Sequence, residues 1–121
     1  MAPKGEGGSW VKKAGIPTAR TCFATSAVDG KIYAIGGFGI LSIVEGYDPA
    51  TDTWTRKADM PTAKWWLSTS VVDEKIYAIG GSTVSYTVIL PTVEEYTPEG
   101  WSFAVSPNGK LPNTWGKIKA K

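Results

Sequence analysis

Hydrophobic positions in this chain occur in short runs that suit β-strands, and glycine and proline separate the runs. The clearest run, Lys-Ile-Tyr-Ala-Ile-Gly-Gly, appears twice, at residues 31–37 and 75–81. Its apolar side chains fall on both sides of an extended backbone, which predicts a strand covered on both faces. Each run ends in a glycine pair, where we expect a bend or the close approach of another segment.

The two runs belong to a longer internal repeat. Residues 17–37 align without gaps with residues 61–81, and 14 of the 21 positions are identical. Val-Glu-x-Tyr then follows at 44–47 and 93–96, and a tryptophan follows at Trp54 and Trp101. Differences in length lie only between the matched pieces, so the pieces are predicted to be structural elements and the gaps loops.

Each unit is expected to hold four short strands, which gives an all-β fold. The first strand is predicted at 21–28 and 65–72, and the second at 31–35 and 75–79. The third contains Val-Glu-x-Tyr, and the fourth begins at the tryptophan. Asp29-Gly30 suits a two-residue hairpin turn, whereas Glu74 in the matching turn predicts strain or another turn type.

The repeat divides the chain into five segments. Residues 1–9 are expected to be flexible, and 10–16 match 54–60, which predicts the outer strand of a neighbouring unit. The two units occupy 17–60 and 61–104. A basic tail at 105–121 follows, where a further strand could be added. The segment at 10–16 has two interpretations: it joins the next copy of the chain, or it marks where a longer array was cut.

Composition excludes several kinds of chemistry. The 121 residues include no histidine and one cysteine, Cys22. A Ser/His/Asp triad, a Cys/His pair, a zinc site and an internal disulfide are therefore excluded, and we expect no cofactor and no metal. No apolar run approaches the ~20 residues that span a bilayer, and no signal peptide is evident, so we expect no membrane contact and a cytoplasmic location by default.

The net charge of +2 arises from basic ends around an acidic middle. Scattered lysines of this kind serve solubility more often than nucleic-acid binding, so no nucleic-acid partner is expected.

The order of glycine pair, tyrosine and tryptophan resembles the kelch family of β-propellers. The resemblance extends over roughly residues 10–101. It implies that each unit is a four-stranded antiparallel blade and that the tyrosine and tryptophan rings pack between neighbouring blades. The structural motif residues are Gly36, Gly37, Tyr47, Trp54, Gly80, Gly81, Tyr96 and Trp101.

The number of repeats departs from the family pattern, because propellers close with about 4–8 blades. Two blades alone leave an apolar sheet face and strand edges open to water. The chain is therefore an excerpt of a longer protein, a shortened gene copy, or a protein that assembles with itself. A head-to-tail homotrimer would give a closed ring of six blades.

In kelch propellers that bind ligands, the start of the first strand lies near the mouth of the central channel. By resemblance, Arg20, Cys22, Lys64 and Trp66 are expected to contact a partner. Tyr86, on the longest loop, is a further candidate. The alternative is that Trp66 serves packing, that Arg20 and Lys64 are solvated, and that Cys22 is a small strand residue.

Two further expectations concern side chains near these positions. As neighbours in a strand, Trp65 and Trp66 should point to opposite sides. Glu45 and Glu94 occupy equivalent positions of different units and are not expected to form a catalytic pair.

These observations predict a non-catalytic kelch propeller module that binds a protein or a carbohydrate and is completed by self-assembly or by a longer chain. The alternative is a sugar-processing enzyme of the mutarotase type, which related propellers include. Copper radical oxidases also resemble this family, but their metal site needs histidine, which this chain lacks.

Overall fold

The structure is a computed structural model that describes residues 6–39, 41–83 and 88–98. Within these ranges the fold is all-β, as predicted, and consists of two antiparallel sheets, here called blade 1 and blade 2. Blade 1 is a four-stranded antiparallel sheet, and blade 2 is a three-stranded one in the described residues. The predicted fourth strand of blade 2, which begins at Trp101, lies outside the described residues.

The strands follow one another in space as they do in sequence. Blade 1 comprises β1 (Ala24–Val28), β2 (Lys31–Ile35), β3 (Val44–Asp48) and β4 (Thr53–Arg56). Blade 2 comprises β5 (Ser68–Val72), β6 (Lys75–Ile79) and β7 (Val93–Tyr96). Consecutive antiparallel pairing needs only short connections, which the glycine- and proline-rich gaps supply.

Both blades open with the same tight hairpin. Val28 pairs with Lys31 and Val72 pairs with Lys75, so each turn has two residues. The φ angles are 52° and 75° at Asp29 and Gly30, and 51° and 60° at Asp73 and Glu74. The second turn therefore has the same left-handed geometry as the first. Of the two predicted outcomes, strain at Glu74 or another turn type, the structure shows strain at Glu74.

The first strand of each blade begins three residues later than predicted. Cys22 and Trp66 stand at equivalent positions of the repeat, and both have left-handed φ angles, 56° and 57°. This backbone kink ends the extended conformation that the sequence pattern indicated. The prediction of strands from residues 21 and 65 is wrong, and Cys22 is not a strand residue.

The blades pack face to face. Val28, Tyr33 and Ile35 of blade 1 form one apolar cluster with Ile76 and Ala78 of blade 2. At the edge of this interface, the hydroxyl oxygens of Ser26 and Thr69 lie 2.6 Å apart. The inner strands β1 and β5 are thus neighbours, as adjacent propeller blades require.

The glycine pair of blade 1 is needed at this interface. A Cβ on Gly36 would lie 2.6 Å from the carbonyl oxygen of Lys64, and Gly37 N–H donates a 3.0 Å hydrogen bond to that oxygen. Gly36 also has a φ of 68°, which favours glycine. The repeated glycines therefore let the backbone that enters blade 2 cross the end of β2.

Each central strand is fully covered on one face only. In β2 the side chain of Ile35 is buried and that of Ile32 is exposed, whereas in β6 Ile76 is buried and Ile79 is exposed. The prediction that both faces of these strands are covered is thus wrong for the single chain. The face between the blades is covered in both strands, whereas the outer face of β2 is buried at Ala34 and open at Ile32.

Residues 10–14 form no strand in this chain. Trp10 is fully exposed. Ala14 N–H donates a 3.0 Å hydrogen bond to Asp52 Oδ1, and Trp54 Nε1 donates a 2.9 Å bond to the carbonyl oxygen of Ala14. The segment therefore lies beside β4 and its preceding turn. Its predicted role as the outer strand of a neighbouring blade stays a prediction.

Candidate binding site at the entry to the inner strands

A buried ion pair anchors the segment that leads into β1. Arg20 Nη2 lies 2.5 Å from Glu45 Oε1, and both side chains are buried. Thr18 Oγ1 donates a 2.9 Å hydrogen bond to the other carboxylate oxygen. The same guanidinium donates to the carbonyl oxygens of three further residues, at distances from 2.9 to 3.3 Å: Ala34, Gly36 and Ile43. Arg20 thus ties the entry segment to the end of β2 and the start of β3.

Blade 2 repeats this arrangement with lysine in place of arginine. Lys64 Nζ lies 3.5 Å from Glu94 Oε1 and donates a 3.3 Å hydrogen bond to Thr92 Oγ1. Thr62 Oγ1 donates a 2.7 Å bond to Glu94 Oε2. The lysine side chain is fully buried. Each glutamate therefore pairs with the basic residue of its own blade, and the two glutamates do not form a carboxylate pair with each other.

Arg20 and Lys64 are not solvated. Both side chains are buried and hydrogen-bonded, so the alternative prediction for them is wrong. A buried charge is tolerated when it is paired and hydrogen-bonded, which the threonine and glutamate achieve here. Direct contact of either residue with a partner stays a prediction.

The kinks at Cys22 and Trp66 join the two entry segments. Trp66 N–H donates a 2.7 Å hydrogen bond to the carbonyl oxygen of Cys22. The Cys22 thiol is half-buried and forms no disulfide. Left-handed conformation costs a non-glycine residue about 1–2 kcal/mol, so this geometry is held by the surrounding backbone contacts.

Beside the kink lies an aromatic cluster made of Phe38, Trp65 and Trp66. The Trp65 and Trp66 rings stack with centroids 4.7 Å apart, and Phe38 meets Trp65 edge-on at 5.0 Å. Trp65 is buried, whereas Trp66 is 57% and Phe38 55% exposed. The prediction that the two tryptophans point to opposite sides is wrong, because the left-handed Trp66 breaks strand alternation.

The cluster borders the long loop of blade 2. Trp65 N–H donates a 3.0 Å hydrogen bond to the carbonyl oxygen of Ser82, where that loop begins. Tyr86, the candidate on the loop, lies outside the described residues. Phe38 was not predicted, because its only sequence signal is its place directly after a glycine pair.

The motif tyrosines occupy matching positions on the two blades. Tyr96 packs across the blade interface, with its ring centroid 5.9 Å from that of Tyr33. The Tyr47 ring lies tilted against that of Trp54 in its own blade, with centroids 5.0 Å apart, and its hydroxyl donates a 2.6 Å hydrogen bond to Asp52 Oδ1. This bond raises the pKa of Tyr47 to about 12 and lowers the pKa of Asp52. Trp101 lies outside the described residues.

A cleft of about 190 Å³ lies between the blades. Its walls are mainly apolar and come from both sheets and from residues 58–61. Glu94 and Glu95 line it from blade 2, but Glu94 already pairs with Lys64 and Glu95 lies 3.4 Å from Lys75. The cleft thus presents an apolar surface, and the two glutamates that line it are paired with lysines of the same chain.

The described residues contain no group of three or more cysteine, aspartate, glutamate or histidine side chains placed to hold a metal ion. They also contain no helix long and apolar enough to cross a membrane.

The architecture is that of adjacent blades of a β-propeller, and comparison with known proteins identifies its class. The sequence model of the Kelch motif matches residues 19–61 and 67–109. The chain belongs to the kelch-repeat family. Comparison with curated proteins gave no significant match.

Among solved structures, the chain is similar to one titled "Structure of YjhT". The TM-score is 0.60 and the sequence identity is 19% over 68% of this chain. The match spans 25% of that structure's length. At this identity the likeness concerns the fold alone.

Proposed function

We propose that this protein is a non-catalytic kelch propeller module that binds a protein or carbohydrate ligand through the aromatic cluster Phe38, Trp65 and Trp66. The observation that carries the proposal is the exposed Trp66 ring, which lies flat against a buried tryptophan. A large ring fixed in this way presents apolar area to a ligand at little cost in side-chain entropy.

The position of the cluster supports a binding role. Loops and strand entries on a rigid sheet scaffold are common places for ligand contacts. The cluster lies where the entry to β5 meets the loops that follow β2 and β6, and the kinked backbone holds it in place. Such an exposed aromatic surface is typical of recognition sites for proteins and sugars.

The sugar-processing alternative has weaker support. It would require arginine and acidic side chains that meet at an open site. Arg20 is buried against Glu45, and Arg56 pairs at 2.9 Å with its neighbour Asp59 on the surface. Within the described ranges, the arginines are thus engaged by carboxylates of the same blade.

The test is binding to two defined libraries, a glycan array and a phage-displayed peptide library, with Trp66→Ala as the variant. We expect at least one class of ligand to bind the natural chain and to lose 10-fold or more in affinity with the variant. Trp10→Ala is the matched control, because Trp10 is also exposed but lies outside the cluster. Its affinity should equal that of the natural chain.

An activity assay separates the alternative. Nuclear magnetic resonance would follow the interconversion of α and β anomers of free sugars, and the proposal predicts no acceleration by the protein. Accelerated interconversion would favour the enzyme. Absence of any ligand whose binding depends on Trp66 would contradict the proposed site.

A further inference from the structure

We propose that the open face of blade 2 docks onto the open face of blade 1 in a second copy of this chain. The new junction would use the equivalent positions of the repeat that already join the two blades within one chain. This inference goes beyond ligand binding and does not depend on the aromatic cluster.

The first argument is the match between the covered and the open faces. Blade 1 buries Val28 and Ile35 against blade 2, with 3% and 2% exposure. Their equivalents on the outer face of blade 2, Val72 and Ile79, are 56% and 40% exposed. These two residues line a shallow apolar groove of about 320 Å³ together with Ser70, Tyr77 and Val93.

The opposite face of the molecule shows the complementary pattern. Ile76 of blade 2 is fully buried against blade 1, whereas its equivalent in blade 1, Ile32, is 39% exposed. Ile32 lies opposite Tyr47 in the sheet, and Tyr47 lies opposite Trp54. Ala34 and Tyr47 on the same face are only 1% and 8% exposed, so the open part of this face is centred on Ile32. There the molecule carries the counterpart of the half-interface that blade 2 presents at its other end.

Polar contacts specify the register of the proposed junction. Within one chain, Ser26 Oγ lies 2.6 Å from Thr69 Oγ1, and that threonine donates a 3.0 Å hydrogen bond to the carbonyl oxygen of Thr25. In the proposed junction, Ser70 takes the place of Ser26, and Thr25 of the second copy takes the place of Thr69. We therefore expect a hydrogen bond between Ser70 and Thr25 of the second copy. The ring contact between Tyr33 and Tyr96 becomes Tyr77 with Tyr47 of the second copy.

The backbone also has room for the second copy. At Gly36 the carbonyl oxygen of Lys64 fills the space beside the glycine, at 2.6 Å from a Cβ. Gly80 is the equivalent glycine and has the same φ of 68°, but among the described residues the nearest atom to its Cβ position is the carbonyl oxygen of Leu90, 3.6 Å away. The proposed junction would place the backbone of Arg20 from the second copy there.

Because the two faces differ, this contact is head-to-tail and closes only as a ring. Propellers close with about 4–8 blades, and three copies would give six. We therefore expect a particle of 38.7 kDa in solution, which is three times the chain mass of 12.9 kDa.

The experiment measures solution mass by light scattering for the full chain and for Ile32→Lys and Ile79→Lys. Each lysine would lie at the centre of one proposed half-interface. Both positions are partly exposed in the single chain, so the variants should keep the natural circular dichroism spectrum while their mass falls to 12.9 kDa. Ala50→Lys is the control, because it adds the same charge on an exposed turn and should keep the larger mass.

Mixing the two lysine variants tests the head-to-tail geometry. Each variant retains one intact face, and the two intact faces are complementary. The mixture should form a particle of two chains, 25.8 kDa or twice 12.9 kDa, and should not grow further. A contact between two identical faces would not give this result.

A crosslink tests the register. In a Cys22→Ser background, Thr25→Cys with Ser70→Cys should form disulfides between chains under mild oxidation, seen as dimers and trimers on a non-reducing gel. A monomeric natural chain would overturn the proposal. So would an oligomer that survives both lysine variants, or folded cysteine variants that do not crosslink between chains.

Discussion

The two blades share one sequence pattern but anchor it with different chemistry. Arg20 of blade 1 donates to Glu45 and to the carbonyl oxygens of Ala34, Gly36 and Ile43. Lys64 at the same place in blade 2 donates one hydrogen bond and lies 3.5 Å from its glutamate. A planar guanidinium can serve several acceptors at once, whereas an ammonium acts as a compact charge. The stability of blade 1 should therefore depend more strongly on the Arg20–Glu45 pair than the stability of blade 2 depends on the Lys64–Glu94 pair.

The largest expected effect comes from removing the glutamates one at a time. Glu45→Ala leaves Arg20 buried without its counter-charge and should cost about 3–5 kcal/mol of unfolding free energy. Glu94→Ala should cost less, about 1–3 kcal/mol, because the Glu94 side chain is partly exposed and its contact with lysine is longer. Urea unfolding followed by tryptophan fluorescence measures both. Equal losses would contradict the difference between the blades.

The next effect distinguishes the two equivalent glycines at the ends of β2 and β6. Gly36→Ala places a methyl group 2.6 Å from the carbonyl oxygen of Lys64 as well as in a left-handed conformation. We expect Gly36→Ala to lower the free energy of unfolding by about 3 kcal/mol. Gly80→Ala should lower it by only about 1 kcal/mol, because that alanine has the cost of the left-handed backbone but not the close contact. Thermal unfolding of a lysine variant that blocks assembly, Ile79→Lys, provides the background for both. A larger loss at Gly80 would show that blade 2 is already covered.

A smaller effect of opposite sign is expected at the hairpin turns. Glu74→Gly converts the second turn to the Asp-Gly sequence of the first and removes a strained left-handed glutamate. Glycine also adds conformational entropy to the unfolded chain, so the net increase in the free energy of unfolding should be about 0.5–1 kcal/mol. The reverse change, Gly30→Glu, should destabilise blade 1 by a similar amount. Calorimetry of both variants checks the sign, and a loss on Glu74→Gly would show that the turn relies on the glutamate side chain.

The smallest effect is a titration that distinguishes Tyr47. Its pKa is raised from 10.0 to about 12 by the hydrogen bond to Asp52. The folded state therefore favours the protonated phenol, and this stabilisation is complete below pH 10 and is lost as the pH rises toward 12. Absorbance of tyrosinate should include a component that titrates near pH 12, and Asp52→Asn should shift that component toward pH 10. An unchanged profile would mean that the bond does not form in solution.

The sequence predicted the blades because the signal was repeated. The glycine pairs, the hairpin at Asp29 and the matched tyrosines each appear with their neighbours in the same order. The second turn was also understood in physical terms, since a glutamate at that position had to be strained or to change the turn. Repetition thus compensated for the weakness of each short strand signal.

The kink at the strand entries could not be predicted. Cys22 and Trp66 are residue types that disfavour left-handed φ, and no glycine marks the position. The ion pairs were hidden for a different reason. Arg20 and Glu45 are 25 residues apart, and only the pairing of β2 with β3 brings the glutamate beside Ala34, where the arginine folds back. The spacing of Arg20 and Glu45 in the sequence does not indicate that the two side chains meet.

The most direct test of the account is an engineered disulfide across the blade interface. In a Cys22→Ser background, Ser26→Cys and Thr69→Cys replace hydroxyls whose oxygens lie 2.6 Å apart. We predict that mild oxidation closes this bond within one chain and raises the unfolding temperature. The control pair, Ser26→Cys with Ser70→Cys, should not close within a chain, because Thr69 and Ser70 point to opposite faces of β5. Thiols that stay reduced in the first pair, or intrachain closure of the second, would contradict the packing of the two blades.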